Sequence, residues 1–233
     1  MAQRLQLELV MRRAALALIL AALWPTAAFA RPPVAVSRPT QATSKQPLLS
    51  PAFQRALRFA VQVHNRQLRK GTGEPYVSHL LQVAGLVMEN GGNEKAAIAA
   101  LLHDAVEDQG GPPMLQRIER RFGAEIARTV SEVTEVPDAT WRERKETTIR
   151  HVAEGTLSSS ALLIKLADNV HNARSMVDQR RRDGASFWRC FSGGRDGTLW
   201  YYRSMLKAYD KAGVQSPLRD DLARAVRQLS RAR

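Results

Sequence analysis

The sequence predicts an all-α bundle of about eight helices. Apolar residues recur at spacings of three and four along most of the chain, which is the period of an amphipathic helix. No stretch alternates apolar and polar residues as a strand of an antiparallel sheet does. Of the 233 residues, 44% are hydrophobic and only 6% are aromatic, a composition that favours helices around one substantial core.

Glycine-rich breaks separate the first four predicted helices. Pro51 suits a first helical turn and begins PAFQRALRFAVQVHNRQ, which ends before KGTGEP. HLLQVAGLVMEN ends at Gly91 and Gly92, and Asn93 is a suitable N-cap for NEKAAIAALLHDAVED. After QGGPP, the segment MLQRIERRFGAEIARTVSEVTEV is again periodic, with one glycine interruption.

Four further helices complete the predicted bundle. Apolar periodicity predicts helices over WRERKETTIRHVAEG and SALLIKLADNVHNARSM, and a loop then leads into TLWYYRSMLKAYDKAG. Phe187, Trp188 and Trp200, in and beside that loop, are expected to pack into the bundle. The last helix, SPLRDDLARAVRQLSRAR, has Ser216 as N-cap and Pro217 in its first turn.

The N-terminal segment resembles a secretory signal peptide. Met11–Ala30 has two arginines, an apolar run and a small-x-small motif at its end, and the run is too short for a transmembrane helix. We therefore predict a signal peptide over 1–30, a flexible linker over 31–50, a folded helical domain over 51–212 and a basic C-terminal helix over 213–233. This predicts an exported protein, periplasmic or secreted, with no stable membrane span after cleavage; a docked first helix or a misassigned start, with a cytoplasmic location, is the alternative.

The chain is strongly basic, with 35 Lys and Arg residues against 22 Asp and Glu residues and a formal net charge of +13. Such a surface attracts nucleotides, nucleic acids or anionic membranes. Because the charges are scattered over predicted helix faces, with no long block except Arg180 to Arg182, compositional bias explains them, and nucleic acid is not an expected partner. Cys190 is the only cysteine, which excludes an intramolecular disulfide and a cysteine-built zinc site.

The octapeptide LLHDAVED places four ionisable groups in an apolar helix. His103 and Glu107 are four residues apart, and so are Asp104 and Asp108, which gives two neighbouring polar columns. Burial of these groups without partners would be very unfavourable. A divalent cation would compensate them, since imidazole and carboxylate are good ligands for first-row metals; an exposed acidic helix is the simpler alternative.

A second polar group of the same kind favours the metal. Asp168, His171 and Asn172 lie at i, i+3 and i+4 in another strongly apolar segment, and His79 stands just before a third apolar segment. Separate segments with metal-ligand residue types on one face are harder to explain as solvated surface than a single His-Asp pair. The sequence therefore predicts a metal site built from several helices.

Three stretches in the same order resemble the HD-domain hydrolases of the RelA/SpoT type. They are RKGTGEPYVSHLLQVA, AALLHDAVED and LLIKLADNVHNARSM, and the resemblance extends from about Phe53 to Ala212. Members of that family remove pyrophosphate from the 3′ position of (p)ppGpp, the alarmone of the stringent response. The chain is most similar to the stand-alone small alarmone hydrolases, which implies an all-α HD-domain bundle.

The resemblance assigns roles to residues of this chain. The family's metal ligands fall on His79, His103, Asp104 and Asp168, and the family's metal is Mn²⁺. The family's catalytic acidic pair falls on Glu107, for water activation, and Asp108, which supports that network or assists the leaving oxygen. The positions that contact the nucleotide are Arg69, Lys70, Asn172, Ser175 and Tyr202.

The chain departs from the family pattern at two places. Leu80 follows His79 where the family usually has proline, and the RKGTGEPY turn has one extra residue, which affects the placement of Arg69. His64 is expected to be packed or to support the site, and His171 is not expected to be a ligand. Two other functions stay open, an HD phosphohydrolase for another phosphorylated nucleotide and a non-catalytic nucleotide-binding module.

Overall fold

The computed structural model describes residues 48–135 and 139–231. The predicted signal peptide and all of the predicted linker before Leu48 lie outside the described residues. The described part is built from helices and contains no β-strand, which confirms the predicted all-α class. None of its helices is long and apolar enough to cross a membrane.

Ten α-helices and one 3₁₀ helix form the described part of the chain. The α-helices are α1 (Pro51–Val63), α2 (Val77–Glu89), α3 (Glu94–Leu102), α4 (Ala105–Gln109), α5 (Gly111–Phe122), α6 (Ala124–Val133), α7 (Trp141–Glu154), α8 (Ser159–Asp183), α9 (Gly194–Lys211) and α10 (Pro217–Arg231), and the 3₁₀ helix spans Gly184–Cys190. All eight predicted segments are helical, and two of them are each divided into two helices.

One division falls at Gly123 and the other within LLHDAVED. Gly123 has φ +93°, which a helical residue does not adopt and glycine tolerates. The continuous helix predicted through His103 and Asp104 is wrong, because α3 ends at Leu102 and α4 begins at Ala105. The backbone of both residues nevertheless stays in the right-handed helical region, so Asp104 still lies one turn before Asp108 on the same side.

The core surrounds the long helix α8, which packs against α2, α6 and α10. Ile164 and Leu166 of α8 are buried together with Leu80 of α2, Leu101 of α3 and Leu222 of α10. The C-terminal helix α10 therefore contributes its apolar face to the same core. Because the core fixes α2, α3 and α8 against one another, side chains on these helices can form a rigid site.

The aromatic segment after α8 packs as predicted. Phe187 and Trp188 are buried, and their rings lie 5.0 Å apart. Trp200 is half-buried, with its ring centroid 6.2 Å from that of Trp141. The 3₁₀ helix thus joins α8 to α9, and its last residue, Cys190, lines the cavity described below together with Trp141.

Candidate metal centre and active site

Four predicted ligand side chains converge between α2, α8 and the break that separates α3 from α4. His79 Nε2 lies 3.3 Å from Asp104 Oδ2 and 3.3 Å from Asp168 Oδ1. His103 Nε2 lies 3.0 Å from the same oxygen of Asp104 and 3.8 Å from that of Asp168. Both histidines are buried. The packing of α8 on α2 thus brings Asp168 close to His79, although the two residues are far apart in the sequence.

The donor atoms suit a divalent cation. His103 Nδ1 lies 2.8 Å from the carbonyl oxygen of Ala100 and donates to it, which directs Nε2 towards the two carboxylates. Although Nε2 is close to Asp104, it is buried without a hydrogen-bond partner among the described residues. A buried ring nitrogen of this kind, beside a second imidazole and two carboxylates, matches the ligand preference of first-row dications.

A cation that binds at this site must displace a proton from the imidazole of His103. Burial alone lowers the pKa of His103, but Asp104 and Asp168 outweigh burial and raise it to about 10. Below that pH the imidazole is protonated and cannot use Nε2 as a ligand. Metal binding must therefore release the proton.

We expect the affinity for Mn²⁺ to increase with pH. At pH values between the ordinary pKa of histidine and the raised value of about 10, each metal ion that binds releases one proton. The Mn²⁺ affinity should therefore rise by up to about tenfold per pH unit. Isothermal titration calorimetry in buffers of different ionisation enthalpy measures both the affinity and the number of protons released. An affinity that does not change from about pH 7 to 9 would contradict the raised pKa of His103.

A third histidine supports His79 from behind. His171 Nδ1 lies 2.7 Å from His79 Nδ1, so it contacts His79 and not the carboxylates. Burial, followed by the neighbouring His79 and Arg69, lowers the pKa of His171 to about 3. The neutral ring accepts a hydrogen bond from His79 Nδ1–H, which leaves His79 Nε2 as the atom for a metal. Such supporting hydrogen bonds fix the tautomer of a ligand histidine.

Replacement of His171 by Phe is expected to weaken metal binding by about 10- to 100-fold while the ring volume is kept, because loss of the acceptor frees the His79 tautomer. The measurement is Mn²⁺ affinity by calorimetry, with His151→Phe as a control on α7, outside the metal site. Equal affinities for His171→Phe and the unaltered protein would show that His79 needs no support.

A cavity of about 340 Å³ opens above the four ligands. Nine of the eleven predicted site residues line it, and His79 and His103 lie buried beside it. These nine are Arg69, Lys70, Asp104, Glu107, Asp108, Asp168, Asn172, Ser175 and Tyr202. The volume of the cavity is in the range of small-molecule pockets. The metal-ligand cluster and the predicted nucleotide-contacting residues therefore share one cavity.

Glu107 and Asp108 face this cavity and are exposed to its solvent. Partial desolvation of the carboxyl group by the surrounding protein is the main cause that raises the pKa of Glu107, and the negative charges of Glu135 and Asp104 raise it further. A carboxyl group with a raised pKa binds and releases a proton closer to neutral pH, which suits general acid-base chemistry.

Arg69 lies over the metal-ligand cluster despite the extra residue in its turn. Its Nη2 donates to Asn172 Oδ1 at 2.7 Å, and Asn172 Nδ2 donates to Asp168 Oδ1 at 2.6 Å. Gly71 and Gly73, at φ +84° and +71°, let the longer turn fold back without strain. The predicted nucleotide-contacting residues are therefore tied directly to a predicted ligand.

Comparison with known proteins identifies the family. The family model described as HD domain matches residues 56–192, which is more than half of the chain. The chain belongs to the HD-domain family. The resemblance inferred from the three motifs is thus confirmed, and the match extends from within α1 through α8 and includes all eleven predicted site residues except Tyr202.

Relatives of this HD domain carry names that refer to ppGpp. A guanosine-3′,5′-bis(diphosphate) 3′-pyrophosphohydrolase of Drosophila melanogaster is 34% identical over 149 residues, 60% of this chain and 81% of that protein. An Aquifex aeolicus protein of the same name is 34% identical over 134 residues, 57% of this chain but 19% of that protein. The chain thus spans about a fifth of the length of such bacterial relatives.

A solved structure has the same fold. It is that of a metazoan ortholog of SpoT that hydrolyzes ppGpp and plays a role in starvation responses. The similarity has a TM-score of 0.66 at 29% identity and covers 79% of this chain and 98% of that one. The bundle predicted from helical periodicity is therefore the HD-domain fold.

Three basic residues of this HD domain were missed by the motif analysis. Arg144 Nε and Lys145 Nζ lie 3.1 and 2.5 Å from the carboxylate of Glu135, and Lys165 Nζ donates to the carbonyl oxygen of Val133 at 3.0 Å. All three line the cavity. Lys165 was detectable as the one cation in the apolar run LLIKLADN, whereas Arg144 and Lys145 look like ordinary surface charges in WRERKETTIR.

Proposed function

We propose that this HD domain is a metal-dependent hydrolase that removes the 3′-pyrophosphate of ppGpp and pppGpp. Water attacks the phosphorus attached to the ribose 3′ oxygen, the bond between that oxygen and phosphorus breaks, and GDP or GTP leaves together with pyrophosphate. The observation that carries the proposal is the convergence of two imidazoles and two carboxylates at a cavity that also contains two further acids and several cations. The names of the relatives support the choice of substrate.

The proposed cofactor is Mn²⁺, held by His79, His103, Asp104 and Asp168. Nitrogen and oxygen ligands in this ratio suit manganese but also other first-row dications, so the choice among them comes from the family resemblance. When bound, such a cation lowers the pKa of a water molecule and polarises a phosphoryl oxygen.

The acidic pair has two proposed roles. Glu107, with its raised pKa, accepts the proton of the attacking water and is ready to release it afterwards. Asp108 lies next to it at the cavity wall and stabilises the same proton network on the side of the leaving 3′ oxygen. Two acids with different surroundings can divide acid and base duties in this way.

The charge of the cavity wall fits a bis-diphosphate substrate. Five cationic side chains line the cavity, those of Arg69, Lys70, Arg144, Lys145 and Lys165, and guanidinium groups bind phosphate oxygens in a bidentate manner. We place the nucleoside between Arg69 and the side chains Asn172, Ser175 and Tyr202, as the family resemblance implies. The phosphates of the substrate then lie among the cationic side chains of the cavity wall and reach the metal ligands.

We also propose that residues 1–30 direct export, on the basis of the signal-like segment Met11–Ala30. An exported enzyme would meet nucleotides other than cytoplasmic alarmones, which keeps another phosphorylated nucleotide as the alternative substrate. N-terminal sequencing of the protein from its native host tests this: a mature N-terminus after Ala30 supports export, and an intact Met1 or Met11 contradicts it.

The activity test uses residues 31–233 with Mn²⁺ and a panel of ppGpp, pppGpp and 2′- or 3′-phosphorylated nucleotides. Release of pyrophosphate from ppGpp, lost in Asp104→Ala and in Glu107→Ala, is the expected result. Turnover of another nucleotide but not ppGpp would replace the proposed substrate. Tight binding without turnover, unchanged in both variants, would identify a binding module instead of an enzyme.

A further inference from the structure

Three polar side chains behind Asp108 form a hydrogen-bond relay that the proposed mechanism does not use. Gln67 Nε2 donates to Asp108 Oδ2 at 2.7 Å. On its other side, Gln67 Oε1 lies 2.7 Å from His64 Nδ1 and accepts from Gln109 Nε2 at 2.5 Å. His64 and Gln67 belong to the turn that follows α1, where Gln67 N–H donates to the carbonyl oxygen of His64 at 3.0 Å, and Asp108 and Gln109 end α4, so the relay joins two separate pieces of chain at one carboxylate.

The relay has only one consistent direction. An ionised carboxylate can only accept hydrogen bonds, so Gln67 must present its NH₂ group to Asp108. The carbonyl oxygen of Gln67 then faces His64, which must carry its proton on Nδ1. His64 Nε2 is buried without a hydrogen-bond partner among the described residues, and a proton there would be a buried, unsatisfied donor. Both constraints therefore select the Nδ1–H tautomer of His64.

The His64 ring also supports the metal-ligand cluster. It is 1% exposed and stacks on Tyr76, with ring centroids 5.3 Å apart and an interplanar angle of 12°. Tyr76 in turn donates from its hydroxyl to Asp104 Oδ2 at 2.7 Å. One buried imidazole thus fixes the ring that holds a metal ligand and, through Gln67, the acid beside the cavity.

We propose that Gln67, oriented by His64 and Gln109, is a positioning residue that holds Asp108 for the reaction. Asp108 is exposed to the cavity, and a solvated carboxylate without such a restraint would sample several rotamers. The hydrogen bond to Oδ2 fixes the plane of the group and leaves Oδ1 for the substrate. The role of Gln67 rests on the proposed function, because that function gives Asp108 its part in the reaction.

The direction of the relay can be tested without any substrate. Two-bond ¹H–¹⁵N correlation spectra of the histidine-labelled protein at about pH 8 distinguish the two neutral tautomers, and the His64→Phe variant assigns the His64 signals. We expect the Nδ1–H form in the unaltered protein and a shift towards the Nε2–H form in Gln67→Leu. An Nε2–H form in the unaltered protein, or no change in Gln67→Leu, would overturn the relay.

The effect on catalysis is tested with a double-mutant cycle. Gln67→Leu should lower kcat by about 10- to 100-fold, as loss of a supporting hydrogen bond typically does, with KM within about twofold. In the Asp108→Ala background the same substitution should change kcat less than about twofold, because Gln67 then has no side-chain acceptor to hold. The surface variant Gln116→Leu on α5 is the matched control and should equal the unaltered protein.

The outcomes separate the relay from the proposed function. Equal losses from Gln67→Leu in both backgrounds would mean that Gln67 acts on general structure and would overturn the positioning role. If the unaltered protein does not hydrolyse ppGpp, the proposed function fails, and the cycle is run with the nucleotide that it does hydrolyse. If no nucleotide is hydrolysed, the positioning role fails together with the activity, while the tautomer spectra still decide whether the relay exists.

Discussion

Replacement of Asp168 by Ala is expected to abolish tight Mn²⁺ binding and, with it, pyrophosphate release. Asp168 Oδ1 lies 3.3 Å from His79 Nε2 and accepts a hydrogen bond from Asn172, so this proposed ligand also contacts a proposed nucleotide-binding residue. Without it, a single carboxylate faces the dication. We expect the affinity to fall by more than the roughly 100-fold that loss of a supporting residue can cost. Calorimetry and a pyrophosphate assay measure the two effects.

Two further variants make this result specific. Asp178→Ala removes an exposed carboxylate from the same helix, where Asp178 pairs with Arg181 at 3.4 Å, and should change neither measurement. Asp168→Asn keeps the shape of the side chain and its contact with Asn172 but removes the charge, so it should also lose the metal while the circular dichroism spectrum stays that of the unaltered protein. Full Mn²⁺ affinity in Asp168→Asn would remove Asp168 from the ligand set.

The sequence predicted the helical architecture because each helix carries its own apolar period. Segments such as α2 and α10 bury one face along their whole length, which is what helical spacing reports. The break at His103 and Asp104 gave no such signal, since neither residue is a glycine or a proline. The side chain of His103 bonds to the carbonyl oxygen of Ala100 in the last turn of α3, a local contact that periodicity does not encode.

The four proposed ligands and the acidic pair could be predicted because they belong to motifs with fixed spacing. Apart from His64, the polar side chains that support these residues could not be predicted in this way. Gln67, Tyr76 and Lys165 act through tertiary contacts between the turn before α2, the α3–α4 break and α8. Their residue types are common on helices and loops, so only the packed structure distinguishes them from ordinary surface and core residues.

Replacement of Glu107 by Gln is expected to lower kcat by about 100- to 10,000-fold, the usual contribution of a general acid or base. The amide has the same shape but cannot accept the proton of water. Because Glu107 is not one of the four ligands, Mn²⁺ affinity should stay within about twofold. Steady-state kinetics at saturating metal, with Glu119→Gln on the exposed face of α5 as control, measure the effect. A kcat within tenfold of the unaltered protein would exclude Glu107 as the base.

The pH dependence and the stability of the same variant separate catalysis from folding. The pKa of Glu107 is raised, so the base is active only above that pKa, and the rate of the unaltered protein should fall as the pH drops through it; Glu107→Gln should lack this acidic limb. A carboxyl group with a raised pKa stabilises the fold when protonated and opposes it when ionised. At neutral pH, Glu107→Gln should therefore unfold at the same or a higher temperature, so a large loss of kcat could not be attributed to unfolding. A lower unfolding temperature would instead indicate that ionised Glu107 stabilises the fold, contrary to its position beside Glu135 and Asp104.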